Sequence, residues 1–161
     1  MAEFSLLTAS ISIGGSALVV IFRHWITNAL KVKSLRKVLK KNVRIDSDSF
    51  GEAKLKLKSL QSTIRQGSGI RSVYFPTRDS IKTILYQLVE LNDENASDYL
   101  TLIDAIDYFN FHQSMYENYR LELAGGDSTP ILAEVAAIQL DDVISSYELL
   151  FKQANKVHEL L

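Results

Sequence analysis

The chain has 161 residues, 47% of them hydrophobic, and no cysteine, which excludes disulfide bonds, thiolate metal sites and thiol catalysis. The formal net charge of −1 conceals an asymmetry, because residues 4–45 carry eight basic side chains and no acid, whereas residues 46–161 carry 18 acids and 10 bases. An acidic domain repels nucleic acid, so we expect no nucleic acid to bind there.

The first element is an uncharged run of 19 residues, 4–22. A helix rises about 1.5 Å per residue, so the run matches the roughly 30 Å hydrocarbon core of a bilayer. A cleaved signal peptide has its basic charge before the apolar run, but here Glu3 precedes it and Arg23 follows it. A buried helix of a soluble domain is the other alternative, since serine and glycine dilute the run. We predict a transmembrane helix, with Trp25 as an interfacial anchor.

A basic block follows the run at once, and no acid occurs between Glu3 and Asp46. Lys-rich and Arg-rich flanks stay in the cytoplasm, which predicts a single-pass membrane protein with its N-terminus outside and its C-terminal domain cytoplasmic. Neither Gly nor Pro occurs between Ser16 and Phe50, so the helix is predicted to continue to about Lys41 as a basic stalk. The side chains expected to contact anionic headgroups are Lys31, Lys33, Arg36, Lys37, Lys40 and Lys41.

Beyond the stalk the pattern predicts helices joined by short connections. Residues 42–49 are predicted to be a connection, 53–64 a helix and 70–75 an extended linker. The next helix is predicted to start near Thr77 and Asp79 and to end before a turn at residues 92–96. Ser97 is the predicted N-cap of a helix that stops at Gly125–Gly126. Pro130 is a restart signal, and the last helix is predicted to run from Ile131 to near Leu161.

The predicted fold class is therefore all-α, with one N-terminal transmembrane helix that continues into a basic stalk and then a small cytosolic helical bundle. We divide the chain into residues 1–41, the transmembrane helix plus juxtamembrane stalk, and residues 42–161, the cytosolic bundle.

Small and hydroxyl-bearing residues recur on one face of the predicted transmembrane helix. Such residues let helices approach closely in lipid, where their hydroxyl groups find partners across the interface. We interpret this face as an oligomer interface within the membrane, serving a homo-oligomer or a contact with another membrane protein. A ring of such helices could also line a polar pore, and the alternative is that small residues are merely tolerated there. The face consists of Ser5, Thr8, Ser12, Gly15 and Ser16.

Motifs for chemistry are scarce. Asp104 and Asp107 lie one turn apart on a predicted helix that also carries His112, but a metal site in a helical bundle typically uses Glu-x-x-His pairs, and the chain contains none. Serine-hydrolase, P-loop and dinucleotide-binding signatures are also missing. We therefore predict no metal, no cofactor and no enzymatic activity.

Lys152-Gln-Ala-Asn-Lys-Val-His158 is the nearest match to the Arg-x4–6-His motif of HEPN ribonucleases. With its span, stalk and small bundle, the chain resembles small membrane effector or accessory proteins of bacterial antiphage loci, and this resemblance implies a location in the bacterial inner membrane. Among these is the CRISPR-associated membrane protein whose bundle resembles a degenerate HEPN domain and which assembles into a membrane pore. Lys152 lacks the guanidinium fork of arginine, which argues against ribonuclease activity through His158.

Three functional hypotheses follow. The leading one is a self-associating membrane protein that acts as a permeabilising effector or accessory component of a bacterial defence system. The second is a membrane-tethered adaptor that docks a cytosolic protein on its acidic, tyrosine-rich bundle. The third is a HEPN-like nuclease.

Overall fold

The computed structural model describes residues 2–66, 71–72, 78–124 and 130–161, with side chains from Val19 onwards except those of Asp79 and Ala124. The described residues form helices and no strand, which confirms the all-α prediction. The helices are α1 (Ala2–Val43), α2 (Ser47–Arg65), α3 (Asp79–Glu90), α4 (Ala96–Ala124) and α5 (Pro130–Leu160).

The long N-terminal helix enters the bundle only at its C-terminal end. α1 has 42 residues, which corresponds to a length of about 63 Å. Leu39 and Val43 are completely buried. The helix ends at Val43, whose carbonyl oxygen accepts a hydrogen bond from Nη1 of Arg78 at 3.1 Å. This bond satisfies one of the carbonyl groups that a helix leaves without an intrahelical partner at its end.

The turn between α1 and α2 is shorter than the sequence suggested. The carboxylate of Asp46 accepts hydrogen bonds from the backbone N–H groups of Asp48 and Ser49, each at 3.1 Å. This N-cap satisfies two donors of the first turn, so α2 starts at Ser47 rather than near residue 53. The predicted connection over residues 42–49 therefore reduces to residues 44–46.

The core lies around the antiparallel pair α4 and α5, which make the most extensive contact in the bundle. α2 packs on α5, α3 packs on α4, and the end of α1 contacts both α3 and α5. An aromatic cluster joins three of these helices: Phe50 stacks on Phe151 with ring centroids 4.1 Å apart, and Tyr147 lies between Phe50 and Phe109 at 5.2 and 5.3 Å. Apolar burial of this extent is the main source of stability for the bundle.

The remaining helix boundaries mostly follow the sequence. The prediction of α3 from Asp79 is confirmed. The last helix, α5, begins at the restart signal Pro130, one residue before its predicted start. The Ser97 N-cap prediction was wrong, because α4 already begins at Ala96. Most of the predicted extended linker at 70–75 lies outside the described residues. Its described part is held against α4, since the hydroxyl of Tyr116 donates to the carbonyl oxygen of Arg71 at 3.0 Å.

No helix is sufficiently long and apolar to cross a membrane within the part of the chain whose side chains the structure describes.

Candidate functional site

The segment of α1 at residues 19–25, here called the projecting segment, stands clear of the bundle. Val19, Val20, Ile21 and Phe22 are between 62% and 67% exposed. Successive helical residues are about 100° apart, so four in a row face every direction around the axis. No side of the helix is therefore covered at this level. Contiguous exposed apolar surface of this kind marks contact with a membrane or another protein.

The projecting segment ends in a pair of aromatic side chains. Phe22 and Trp25 stack with ring centroids 6.2 Å apart and an interplanar angle of 23°. Trp25 is 66% exposed, so most of the indole surface has no protein neighbour. An exposed amphipathic ring at the end of an uncharged run has the chemistry of an interfacial anchor.

The predicted oligomer interface lies before the projecting segment. Its backbone belongs to α1, so its residues share one helix, but its side chains lie outside the described residues. The interface therefore stays a prediction. It concerns Ser5, Thr8, Ser12, Gly15 and Ser16.

A helix-stop motif builds the polar site that faces the stalk. At the end of α3 the N–H of Asn92 bonds to the carbonyl oxygen of Val89 at 3.0 Å, and the N–H of Asp93 bonds to that of Leu88 at 3.1 Å. These two bonds form a Schellman motif, which requires a left-handed residue after the helix. Asn92 supplies it with a φ of 54°, and asparagine tolerates this conformation better than most residues. The motif places Asp93 directly beside α1.

Asp93 is the centre of a hydrogen-bond network that joins α1 to α4. Its carboxylate, with 0% of the side chain exposed, accepts from Nε and Nη2 of Arg36 at 2.7 and 2.8 Å. It also accepts from the backbone N–H of Asn95 at 3.0 Å and from the hydroxyl of Tyr99 at 3.1 Å. Nη2 of Arg36 donates further to Glu94 at 2.8 Å. Four bonds to one buried carboxylate satisfy it almost fully, as burial of a charge demands.

The electrostatics of this network favour the ionised pair. Burial acts to raise the pKa of Asp93, but the hydrogen bonds from Arg36 and from the N–H of Asn95 outweigh it, so this pKa lies below its usual value. The same hydrogen bonds raise the pKa of Arg36. Burial raises the pKa of Tyr99, which therefore remains a hydroxyl donor at neutral pH.

The sequence predicted Arg36 as a lipid contact and residues 92–96 only as a turn, so this network was missed. Arg36 and Asp93 are 57 positions apart, and no local pattern pairs residues over that distance. The available signal was weak: an Asn-Asp step between two predicted helices suits a helix stop that aims a carboxylate at a neighbour.

A groove of about 850 Å³ opens beside this network. One wall is α1, and the other is the α3–α4 turn together with Leu161. Basic and apolar side chains share the lining, whereas both acids in it are bonded to Arg36. The groove is lined by Trp25, Asn28, Ala29, Val32, Lys33, Arg36, Lys37, Lys40, Leu91, Asn92, Asp93, Glu94 and Leu161.

The groove divides the predicted lipid-contact residues into three groups. Lys33, Lys37 and Lys40 line it, and they follow one another at spacings of four and three, which places them on one side of the helix. Arg36 is held in the Asp93 network. Lys31 and Lys41 do not line the groove, and both are exposed.

The acids and the histidine of α4 do not converge. Asp104 is exposed, whereas Asp107 pairs with Lys82 of α3. Both ring nitrogens of His112 are buried and have no hydrogen-bond partner within the described part of the chain. The nearest acid is Asp142, whose Oδ2 lies 3.9 Å from Nδ1. Among the described residues no group of three His, Cys, Asp or Glu side chains could hold a metal ion.

The HEPN-like candidates lie near the end of α5. Lys152 is exposed, and His158 is partly buried. Six positions on a helix separate two side chains by about 120° around the axis and about 9 Å along it. The two residues therefore point in different directions from α5, and a shared catalytic role for Lys152 and His158 stays untested.

No family model matches the chain, and no curated protein or solved structure matches it either. The resemblance to antiphage membrane proteins accordingly stays a prediction.

Proposed function

We propose that this chain is a self-associating membrane protein, in which the N-terminal part of α1 inserts into a bilayer and the bundle sits on the cytoplasmic side. The observation that carries the proposal is the projecting segment, because the bundle covers no side of α1 where its sequence becomes uncharged. Apolar side chains exposed on every side of a helix cost free energy in water, at about 25 cal/mol per Å². Lipid around the helix removes that cost.

The stalk supports the same orientation. Eight basic residues follow the uncharged run before Asp46, and those that lie within about a Debye length of an anionic bilayer contribute about 1 kcal/mol each. The acidic bundle is repelled by the same surface, so the attraction is confined to the stalk. Assembly through the small-residue face would then bring several spans together, and altered membrane permeability is the proposed consequence.

Membrane anchoring is tested by alkaline carbonate extraction of membranes that contain the full chain. We expect the parent protein to stay in the membrane fraction. Ile13→Lys puts a charge at the middle of the uncharged run, at a cost of about 3 kcal/mol, and should release part of the protein. Ser34→Lys, which adds the same charge on the exposed stalk, should release none. A parent protein that is washed off by carbonate would refute the anchor.

Self-association is tested by cross-linking in native membranes. Leu at both Ser12 and Ser16 keeps the run apolar, but it separates neighbouring backbones and removes hydroxyl bonds worth about 0.6 kcal/mol each. We expect the oligomers to shift toward smaller species. Val19→Leu and Val20→Leu are matched controls. Identical ladders in all variants, or a monomeric parent, would contradict the oligomer.

The adaptor hypothesis is favoured by one separate observation. Tyr108 and Phe111 on α4 are 49% and 58% exposed, beside the exposed acid Asp104. Aromatic side chains near carboxylates suit a partner that offers basic and apolar groups. The adaptor becomes the leading hypothesis if the parent chain is anchored but monomeric. Alanine at Tyr108 and Phe111 should then abolish recovery of a cross-linked cytosolic partner, whereas alanine at Leu55 on α2, 69% exposed, should not.

A further inference from the structure

The groove between α1 and the α3–α4 turn holds three lysines whose charge is not neutralised locally. Within the described part of the chain, none of Lys33, Lys37 and Lys40 lies within ion-pair distance of an acid. Three lysines elsewhere in the bundle each form an ion pair with a carboxylate, namely Lys54, Lys82 and Lys156. Other exposed lysines, such as Lys56 and Lys152, form no ion pair among the described residues, so the groove lysines are distinguished by lining one groove together.

The Asp93 network explains why the groove remains cationic. Among the described residues that line it, the only acids are Asp93 and Glu94, and both accept hydrogen bonds from Arg36. Arg36 thus binds both carboxylates and fixes the turn against α1. Neither carboxylate therefore forms an ion pair with the neighbouring lysines. Like charges on one helix face are destabilising unless a counter-charge is present. A bound anion would supply it.

The volume of the groove and its other lining residues indicate which kind of anion would fit. A volume of about 850 Å³ lies in the range of small-molecule sites and far exceeds one phosphate group. Val32, Leu91 and the indole of Trp25 give the groove an apolar part, and the amides of Asn28 and Asn92 offer hydrogen bonds to hydroxyl groups. Lysine is a compact point charge that suits phosphate oxygens.

We propose that this groove binds a phosphate-bearing ligand with an apolar part, the phosphate being held by one or more of Lys33, Lys37 and Lys40. Two sources share this chemistry, an anionic phospholipid and a soluble phosphate compound. The lipid source depends on the membrane anchoring proposed above, whereas the soluble source does not.

Geometry separates the two sources. If the bilayer core ends near Phe22, Lys33 lies about 16 Å beyond it and Lys40 about 27 Å beyond it along an upright helix. The headgroup layer adds only about 6 Å on each side. A lipid phosphate can therefore reach the lysine ammonium group of Lys33 only with a tilted helix or an extended side chain, and it does not reach Lys40. A soluble ligand can contact all three.

The experiment uses the purified full chain in a neutral detergent. Trp25 is the only tryptophan and lines the groove, so its fluorescence reports occupancy. The probes are sodium pyrophosphate, short-chain phosphatidylglycerol and, as a neutral reference, short-chain phosphatidylcholine. We expect at least one of the two anionic probes to bind at least tenfold more tightly than the neutral lipid.

Matched variants locate the binding. Gln at Lys33, Lys37 and Lys40 should weaken the anionic probe at least tenfold. Gln at Lys31, Lys41 and Arg44 removes the same charge from the same stretch of α1 outside the groove, and it should weaken binding less than threefold. All six positions are exposed, so both triple variants should keep the circular dichroism melting curve of the parent.

Single variants identify the source. Loss of pyrophosphate binding in Lys40→Gln indicates the soluble ligand. Loss of phosphatidylglycerol binding in Lys33→Gln, with binding by Lys40→Gln unchanged, indicates the lipid. Equal weakening by the two triple variants, or no preference of either anionic probe over phosphatidylcholine, overturns the site. Carbonate extraction tests the anchor separately. A chain that binds pyrophosphate but is washed off the membrane refutes the anchor and supports the groove as a binding site. A chain that stays in the membrane but binds neither anionic probe refutes the binding site and supports the anchor.

Discussion

The two ends of α1 place the same kind of side chain in opposite surroundings. Leu30 is 63% exposed, whereas Leu39, nine residues later on the same unbroken helix, is completely buried. Local helix propensity does not differ between them. Their burial differs, and burial decides how much each leucine contributes to stability, since an apolar side chain stabilises a fold only when folding removes it from water. One helix thus serves as a core element at one end and as an exposed apolar surface at the other.

Truncation of the buried leucine should give the largest change in stability. Leu39→Ala should lower the free energy of unfolding by about 2–5 kcal/mol, because it removes buried methyl groups and leaves a cavity. Leu30→Ala makes the same chemical change at the exposed end, so we expect a loss below about 0.5 kcal/mol. Urea unfolding of the full chain in mild detergent, followed by circular dichroism, measures both. Similar losses would mean that Leu30 is also covered in solution.

A smaller effect is expected at the polar contact that fastens α1 to the α3–α4 turn. Asp93→Asn removes the charge and turns an amide N–H₂ toward Arg36 in a buried position, at a cost of about 2–3 kcal/mol. Glu94→Gln removes the charge of the other partner of Arg36, but the side chain of Glu94 is 73% exposed. We therefore expect the free energy of unfolding to fall by less than about 1 kcal/mol. The same urea experiment ranks the two variants. Equal losses of stability would show that the buried carboxylate of Asp93 contributes no more than the exposed one of Glu94.

The smallest effect is a pH dependence that sharpens the role of this contact. The pKa of Asp93 is lowered in the folded chain, so between about pH 4 and the folded pKa the unfolded state binds more protons than the folded state. Its contribution to stability is therefore present above about pH 4 and is lost as the pH falls further. Between pH 6 and pH 2 the free energy of unfolding should fall less steeply for Asp93→Asn than for the parent chain. Parallel curves would rule out Asp93 as a source of acid sensitivity.

Helix positions were largely predictable because their signals are local. Pro130 suits the first position of a helix since its missing N–H would have no partner there. Glycine has low helix propensity, so the Gly125–Gly126 step predicted a helix stop just after Ala124, the last described residue of α4. Asp46 shows the limit. Its capping bonds to Asp48 and Ser49 are also local, yet the polar stretch around it resembled a loop, so α2 was predicted to begin several residues too late.

The candidate site was much less predictable, because it is assembled from distant parts of the chain. The basic block was recognised as a set of equivalent lipid contacts. The fold divides that set, since Arg36 meets a carboxylate 57 positions away, whereas Lys33 and Lys40 line a groove whose other wall includes Leu91. Nothing in the spacing of the basic residues distinguishes these roles.

Three properties therefore follow from the amino-acid sequence alone: the all-α class, the unbroken course of α1 and the contrast between an uncharged run, a basic stalk and an acidic remainder. These properties depend on neighbouring residues, through helix periodicity, breaker residues and charge. Only the tertiary structure decided where α1 stops being buried, which carboxylate Arg36 binds and which lysines share a groove. Those outcomes depend on how helices far apart in the chain pack against each other, because burial and pairing are properties of surfaces that only packing brings together.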